Sequence, residues 1–175
     1  ITIDPTADLA EQTSYYVQIA AAAFDDAAGN SYAGITDKTT WNFTSADETA
    51  PTMTIASTTA GVSDGSTTNH ATIALTFTSS EATTDFVAGD ISVSGGALSA
   101  FAGSGTDYTA TFTPTGSGTA VVQATTIDVA GSGFTDAVGN NNTAATQFNW
   151  TYDNVPPTMT IASTTAGVSD GSTTN

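Results

Sequence analysis

Two copies of one short motif hold most of the chemistry that this sequence could perform. Asp26-x-x-Gly29-Asn30 and Asp136-x-x-Gly139-Asn140 each place a carboxylate ahead of a glycine and a side-chain amide. A tight turn uses these residue types directly: Asp caps backbone amides, Gly takes positive φ, and Asn tolerates the left-handed region. The same oxygens also suit Ca²⁺, a hard cation that gathers about six to eight oxygen ligands. Both readings stand at the level of sequence, and neither copy carries the regular acid spacing of an EF-hand loop. Asp64-Gly65 and its later copy Asp170-Gly171 read as turns. Asp64 joins the cation candidates if loops of successive domains meet end to end.

Other chemistries lack their parts. Asp25 and Asp26 are neighbours, and neighbours on an extended strand point to opposite faces, so they do not form a catalytic acid pair. His70 is the only histidine and has no Ser or Cys nucleophile arrangement beside it, which argues against a triad or an ordinary zinc site. Gly103-x-Gly105 and Gly131-x-Gly133 do not complete a dinucleotide fingerprint. Trp41 and Trp150 could act as sugar platforms, but alternation assigns them to an apolar face and therefore to core packing. The sequence does not read as an enzyme.

Charge sharpens the exclusions. Seventeen acidic residues face a single basic one, Lys38, for a net charge of −16. Phosphate binding needs clustered Lys and Arg, so nucleic acid is excluded as a partner, and an anionic membrane surface would repel the chain. Solubility explains such acidity, and so does the collection of divalent cations; the two are compatible. There is no cysteine to staple the fold. No apolar run reaches the roughly 18 residues of a membrane span, and no signal-peptide pattern opens the chain.

The elements that must position the two motifs are strands. Ile73, Leu75 and Phe77 alternate with threonine and alanine, as do Tyr108, Ala110 and Phe112 with threonine, and Phe148, Trp150 and Tyr152 with polar residues. This is the two-residue period of a strand with one buried face, and outward threonine suits β-structure. The pattern predicts strands near Met53–Ala56, Ala71–Ser79, Asp90–Ser94, Ala97–Ala102, Asp107–Thr113, Thr119–Thr125 and Thr146–Tyr152, separated by Gly- and Ser-rich turns. Seven short strands in about a hundred residues predict an all-β fold of immunoglobulin-like β-sandwiches.

The chain is also repetitive. Nineteen residues, PTMTIASTTAGVSDGSTTN, occupy Pro51–Asn69 and return unchanged as Pro157–Asn175, a period of 106 residues. Units of helical solenoids and propeller blades run about 20 to 50 residues, so the period matches a small domain instead. The front of the chain lays onto the rear of the complete unit: Ile3-Asp4-Pro5-Thr6 onto Phe112-Thr113-Pro114-Thr115, Phe24 to Asn30 onto Phe134 to Asn140, and Trp41-Asn42-Phe43-Thr44 onto Phe148-Asn149-Trp150-Thr151. The expected organisation is residues 1–48 as the last three strands of a sister domain whose first strands lie upstream, 49–154 as a complete domain, and 155–175 as the first strand and loop of the next repeat. Ser45–Ala50 and Asp153–Pro156 read as short linkers in which acid precedes proline, which limits bending.

The segments PTMTIAS, FVAGDISVSGGALSAF, YTATFTPTGSGT and FTDAVGNNNTAATQF, in that order, resemble the bacterial Ig-like repeats of giant surface adhesins and biofilm-associated proteins. ITIDPTADLAEQTSYYVQIA, FDDAAGNSYAGI and TTWNFT are similar to the C-terminal half of a related bacterial Ig-like domain of surface-layer and adhesin proteins. One departure is that Val121 to Gly133 is longer than the usual approach to the Asp-x-x-Gly-Asn turn. The resemblance implies an extracellular, cell-surface stalk whose partners are neighbouring repeats of the same chain. It also implies Ca²⁺ near domain junctions, with Asp136, Asn140 and Asp153 as one ligand group and Asp26, Asn30, Asp47 and Glu48 as its counterpart. Two other expectations compete with the stalk: a subunit of a filament or surface layer completed by identical neighbouring chains, and a carbohydrate-binding accessory module.

Overall fold

Where apolar side chains alternate with threonine, the backbone is extended and paired. The computed structural model describes residues 2–173, so Ile1 and the last two positions of the second nineteen-residue copy, Thr174 and Asn175, lie outside the described residues. The strands are β1 (Ser14–Tyr16), β2 (Asn42–Thr44), β3 (Met53–Ser57), β4 (Ser66–Thr68), β5 (Ile73–Thr83), β6 (Ile91–Ser94), β7 (Gly96–Pro114), β8 (Val122–Val129) and β9 (Phe148–Asp153). A single 3-10 turn, Ala88–Asp90, precedes β6. The chain divides into two compact units, Ile1–Ala50 with Val138–Asn140, and Pro51–Ala137 with Asn141–Asn175.

The second unit is a β-sandwich. One sheet has the order β3-β5-β7 and the other β4-β9-β8-β6. All pairings are antiparallel except β4 with β9, which is parallel. Inward residues at every second position fill the space between the sheets: Ile73, Leu75 and Phe77 from β5, Tyr108, Ala110 and Phe112 from β7, Ile127 and Val129 from β8, and Phe148, Trp150 and Tyr152 from β9. Phe86 sits at the centre of an aromatic group, with ring centroids 5.0 Å from Tyr108, 5.2 Å from Phe134 and 5.7 Å from Phe101. The polar tips of the buried rings are bonded. Tyr108 Oη donates to Thr83 O (3.0 Å) and Trp150 Nε1 to Thr68 Oγ1 (3.0 Å), as burial of such groups requires.

The strand β7 doubles back on itself. The Ser99 hydroxyl donates to Thr111 O and the Thr109 hydroxyl to Ala102 O, each at 3.4 Å, and Phe101 stacks on Tyr108 at 5.7 Å. Its two arms are the expected strands Ala97–Ala102 and Asp107–Thr113. A Cβ on Gly96 would stand 2.3 Å from Phe112 Cζ, so only glycine fits where the arms approach. Leu98 and Phe101 both pack on the core although three positions separate them, a spacing that would send regular strand residues to opposite faces. Ala100, with φ 51°, takes the left-handed conformation that restores the phase, as a bulge does.

Three expectations need correction. The strand expected at Thr119–Thr125 begins at Val122, because Gly116–Thr119 forms a turn closed by Thr119 N to Gly116 O (2.9 Å), and it runs on through Val129 on buried alternate residues. Among the described residues the front unit shows two strands, not three. β1 pairs antiparallel with β2, isolated bridges join Ile19 to Ile35 and Asp25 to Ser31, and residues 2–9 carry no strand. The first strand expected after residue 155 is also absent, since residues 154–164 carry none.

This last difference is a comparison between identical sequences. In Pro51–Asn69 the stretch builds β3, paired with β5, and then crosses to the other sheet as β4, paired with β9. In the second copy the local turns persist: Val168 N bonds Thr165 O at 3.1 Å, as Val62 N bonds Thr59 O, and Gly167 and Gly61 share φ 78°. The strands do not persist. Met159 and Ile161 are 87% and 89% exposed, whereas Met53, which pairs with Ser79 of β5, is 4% exposed. Turns close within four residues, but a strand needs a partner from elsewhere in the chain.

The left-handed Ala100 generates a prediction. Relief of an alanine in that region is worth about 1–2 kcal/mol, and the added freedom of glycine in the unfolded chain offsets about 0.4–1 kcal/mol. Ala100→Gly is therefore expected to raise the unfolding free energy by about 0.5 kcal/mol, measured by chemical denaturation. Clear destabilisation would show that this residue is not strained.

Candidate functional site

In the front unit, Asp26 is folded onto its own turn. Its Oδ1 accepts the backbone N–H groups of Ala28 (2.9 Å) and Asn30 (2.8 Å), and its Oδ2 accepts Asn30 Nδ2 (2.9 Å). The backbone closes the same turn through Asp26 N to Asn30 O (2.9 Å) and Gly29 N to Asp26 O (3.0 Å), with Gly29 at φ 86°. Three of the carboxylate's roughly four acceptor positions are thus engaged by the turn. Hydrogen bonds from Asn30, side chain first and backbone second, hold its carboxyl below the usual range.

The other front candidates are held mainly by partners distant in sequence. Asp47 Oδ2 accepts Gln12 Nε2 (2.6 Å) and its Oδ1 accepts Thr49 N (3.1 Å). Glu48 is exposed. Asn140, which groups with this unit, donates from Nδ2 to the carbonyls of Asp47 (3.0 Å) and Thr49 (3.3 Å). The structure therefore brings Asn140 to the linker backbone at Asp47, a pairing the sequence did not suggest. Asp37 forms a second capped turn: Oδ1 accepts Thr39 N (2.8 Å), Thr40 N (2.6 Å) and Thr39 Oγ1 (2.8 Å), and Oδ2 accepts Thr40 Oγ1 (2.6 Å). The Thr40 and Thr39 hydroxyls, then their amides, hold its carboxyl well below the usual range. Lys38 lies 4.9 Å from the centre of the Tyr16 ring, a cation–π position.

In the complete domain, Asp64 faces its own sandwich. Its Oδ1 accepts Asn149 N (2.7 Å) while Gly65 N donates to Asn149 O (2.7 Å), which fastens the loop before β4 to the start of β9. Asp136 is buried. Asp153 closes the end of β9, its Oδ1 accepting Val155 N (3.0 Å). His70 Nδ1 lies 3.0 Å from Thr68 Oγ1, next to the Trp150 contact and away from any nucleophile arrangement.

Two residues that the sequence did not single out organise the region around the second motif. Asp85 accepts Thr83 Oγ1 (2.6 Å), Thr135 N (3.0 and 3.1 Å to its two oxygens) and Thr135 Oγ1 (2.8 Å). The Thr83 hydroxyl foremost, then the Thr135 amide, lower its pKa, while burial and then the Asp85 charge raise that of Tyr108. Asn142 is 3% exposed and makes four hydrogen bonds: its Oδ1 accepts Gly133 N and Phe134 N, and its Nδ2 donates to Ala130 O and Thr143 O, at 2.8–2.9 Å. The only sequence signal for Asn142 was its place after Gly139-Asn140-Asn141. For Asp85 there was none, since its partner Thr135 lies 50 residues away.

The two motifs share a backbone frame. Asp25 bridges Ser31 as Thr135 bridges Asn141, and Ile35 N bonds Ile19 O as Ala145 N bonds Val129 O. Ala22 and Ser132, at equivalent positions, both have positive φ, 59° and 62°. Where Asn142 staples the loop in the complete domain, the front unit has Tyr32 stacked on Phe24 at 4.6 Å. Trp150 is buried as expected, but Trp41 is 51% exposed, contrary to the core role expected for it. Trp41 lines a groove of about 320 Å³ with Ile3, Val17, Ile19 and Ile35, whereas its counterpart Phe148 is buried and lies beside Met53 and Ile55 of β3. Trp41 meets Phe43 edge-on, at 79°, so the two rings do not form a flat sugar platform.

Residues 47–152 match a family model described as a bacterial Ig-like domain, and residues 1–45 match a second model of the same description. No curated protein and no solved structure matches the chain. Domains of this type are typically structural rather than enzymatic, and are commonly extracellular or surface-exposed. Among the described residues no helix is long and apolar enough to cross a membrane.

The geometry generates two predictions. Asn142→Ala leaves the buried amide of Phe134 unbonded, at about 1–3 kcal/mol, and frees the more exposed amide of Gly133 to water, and is expected to destabilise the domain by about 2 kcal/mol in chemical unfolding. Asp26, Asp37 and Asp85 have depressed folded-state pKa values, so their stabilisation is complete above the unfolded value of about 3.9 and is lost as pH falls through the lower folded values. Carboxyl-carbon NMR titrations should give midpoints below that value for all three. An ordinary midpoint at Asp37 would show that its capped turn does not form.

Proposed function

Because this chain belongs to the bacterial Ig-like domain family, we propose that it is a structural segment of an extracellular bacterial adhesin or biofilm-matrix protein, in which sandwiches joined head to tail hold a distal part away from the cell. The observation that carries this reading is the unchanged return of Pro51–Asn69 after 106 residues, in a chain whose first copy is built into both sheets of a complete sandwich. A module whose opening stretch recurs after one domain length is organised for length, and the candidate residues described above serve turns and the core. Short linkers with acid before proline limit bending.

Ca²⁺ is part of the proposal. With 17 acids and one lysine, turn and linker carboxylates repel one another, and a divalent cation taken by Asp26, Asn30, Asp47 and Glu48 relieves that repulsion and stiffens the array. A second reading is a subunit of an extracellular filament or surface layer completed by neighbouring chains.

Calcium titration by calorimetry, paired with thermal unfolding, tests the ion. Saturable binding with a raised Tm is expected, since a ligand held only by the folded state stabilises it. Solution scattering should show greater flexibility in chelator. Absence of both binding and a scattering change would leave proline as the source of stiffness and the acidity as a solubility device.

A further inference from the structure

Three Asn-x-Thr tripeptides occur in the chain: Asn42-Phe43-Thr44, Asn141-Asn142-Thr143 and Asn149-Trp150-Thr151. In this pattern a side-chain amide can become the acceptor of a sugar, provided that it lies on a surface segment an enzyme can reach. As sequence the three are equal. The fold separates them.

Two of them are strands whose groups are already engaged. Asn42 Nδ2 donates to Thr39 O (2.8 Å), and the Thr44 hydroxyl lies 3.1 Å from that of Ser14 across the β1–β2 pair. Asn149 Nδ2 donates to Gln147 O (3.3 Å), while Asp64 and Gly65 bond its backbone N–H and carbonyl. Thr151 is half-buried and sits inside its sheet, opposite Thr67 on one side and Ala124 on the other. Neither stretch can be drawn into an enzyme without breaking its ladder.

Asn141-Asn142-Thr143 lies in the connection between β8 and β9. Its backbone makes an isolated bridge from Asn141 to Thr135 and single bonds from Asn142 N to Phe134 O (3.0 Å) and from Thr143 N to Pro51 O (2.9 Å). The middle residue is the anchor: Asn142 is 3% exposed and its side chain is bonded four times. Asn141 and Thr143 on either side of it are exposed, and among the described residues their side chains make no hydrogen bond. The amide that would react and the hydroxyl required beside it therefore stand free, on a segment fixed by the residue between them. In the front unit Ser31 occupies the bridge position of Asn141, so the acceptor is not repeated there.

We infer that Asn141 is a site of N-linked glycosylation, taking a sugar from a phosphate-activated donor. In that step Nδ2 bonds to the anomeric carbon, the bond from this carbon to the donor's phosphate oxygen breaks, and the electron pair leaves on the phosphate. The amide proton passes to a base of the transferase. A sugar is bulky and hydrophilic, and the loop can carry it without disturbing the core because Asn142, not Asn141, does the packing.

Mass-spectrometric peptide mapping of the folded full chain after incubation with a transferase tests this in two arms. One uses a soluble enzyme with a nucleotide-activated hexose, the other a membrane enzyme with an oligosaccharide on a lipid pyrophosphate. Asn141 is expected to be loaded in at least one arm, which identifies the donor. Asn42 and Asn149 should react about tenfold more slowly or not at all, because they are reached only when their strands open. In denatured chain the three should react at similar rates. Asn141→Gln and Thr143→Ala should each abolish loading at this site without lowering Tm, and Thr143→Ser should retain it. A folded chain that takes no sugar at Asn141 in either arm overturns the inference. Equal loading of Asn42 or Asn149 in the folded chain also overturns it, since the selection assigned to the fold would be absent.

Discussion

The inward faces of the two sheets are stable only in each other's presence. Phe77 and Phe112 from one sheet and Ile127 and Trp150 from the other are almost wholly buried, and β5, the second arm of β7, β8 and β9 contribute alternate side chains to that layer. Removal of apolar area from water supplies the driving force, at roughly 25 cal/mol per Å². Pairing satisfies the backbone groups that burial would otherwise leave unbonded. The polar tips inside follow suit, and among the described residues no buried side-chain nitrogen or oxygen lacks a partner. Among the described residues of the front unit there is one two-stranded sheet, and there the same kind of residues, Trp41, Phe43 and Phe24, stand half open.

That dependence explains what the sequence disclosed. The alternating runs through β5, the second arm of β7, and β9 were plain, because a two-residue apolar period is written in the residues themselves. The strand β4 was not, since Ser66-Thr67-Thr68 has no apolar alternation and is a strand only because β9 and the Asp64–Asn149 bonds hold it. The phase change at Ala100 was hidden for a related reason: nothing in Ser99-Ala100-Phe101 announces that Leu98 and Phe101 share a face. The second copy of the nineteen residues makes the division visible within one molecule. Its turns are the same as those of the first copy, and among its described residues there is no strand.

The turn motifs were legible in the same graded way. Asp26 to Asn30 closes on itself, and its capping was readable from residue types alone. In the complete domain the corresponding loop is fixed from farther away, by Asp85 from the start of the β5–β6 connection and by Asn142 from beneath. These contacts join positions eight to fifty apart, and no local pattern foretells them. One recurring motif therefore sits in two different supports, an aromatic stack of Phe24 on Tyr32 in one and a buried amide in the other.

The bond between Asp64 and the amide of Asn149 spans 85 residues. During synthesis at about 5–20 residues per second, Asp64 leaves the ribosome roughly 4–17 s before its partner is made. Throughout that interval the opening stretch of the domain has no seat, because the strand that anchors it is the last to be made. The sandwich therefore closes from its two ends at once, and a domain interrupted before Asn149 cannot hold its own beginning in place.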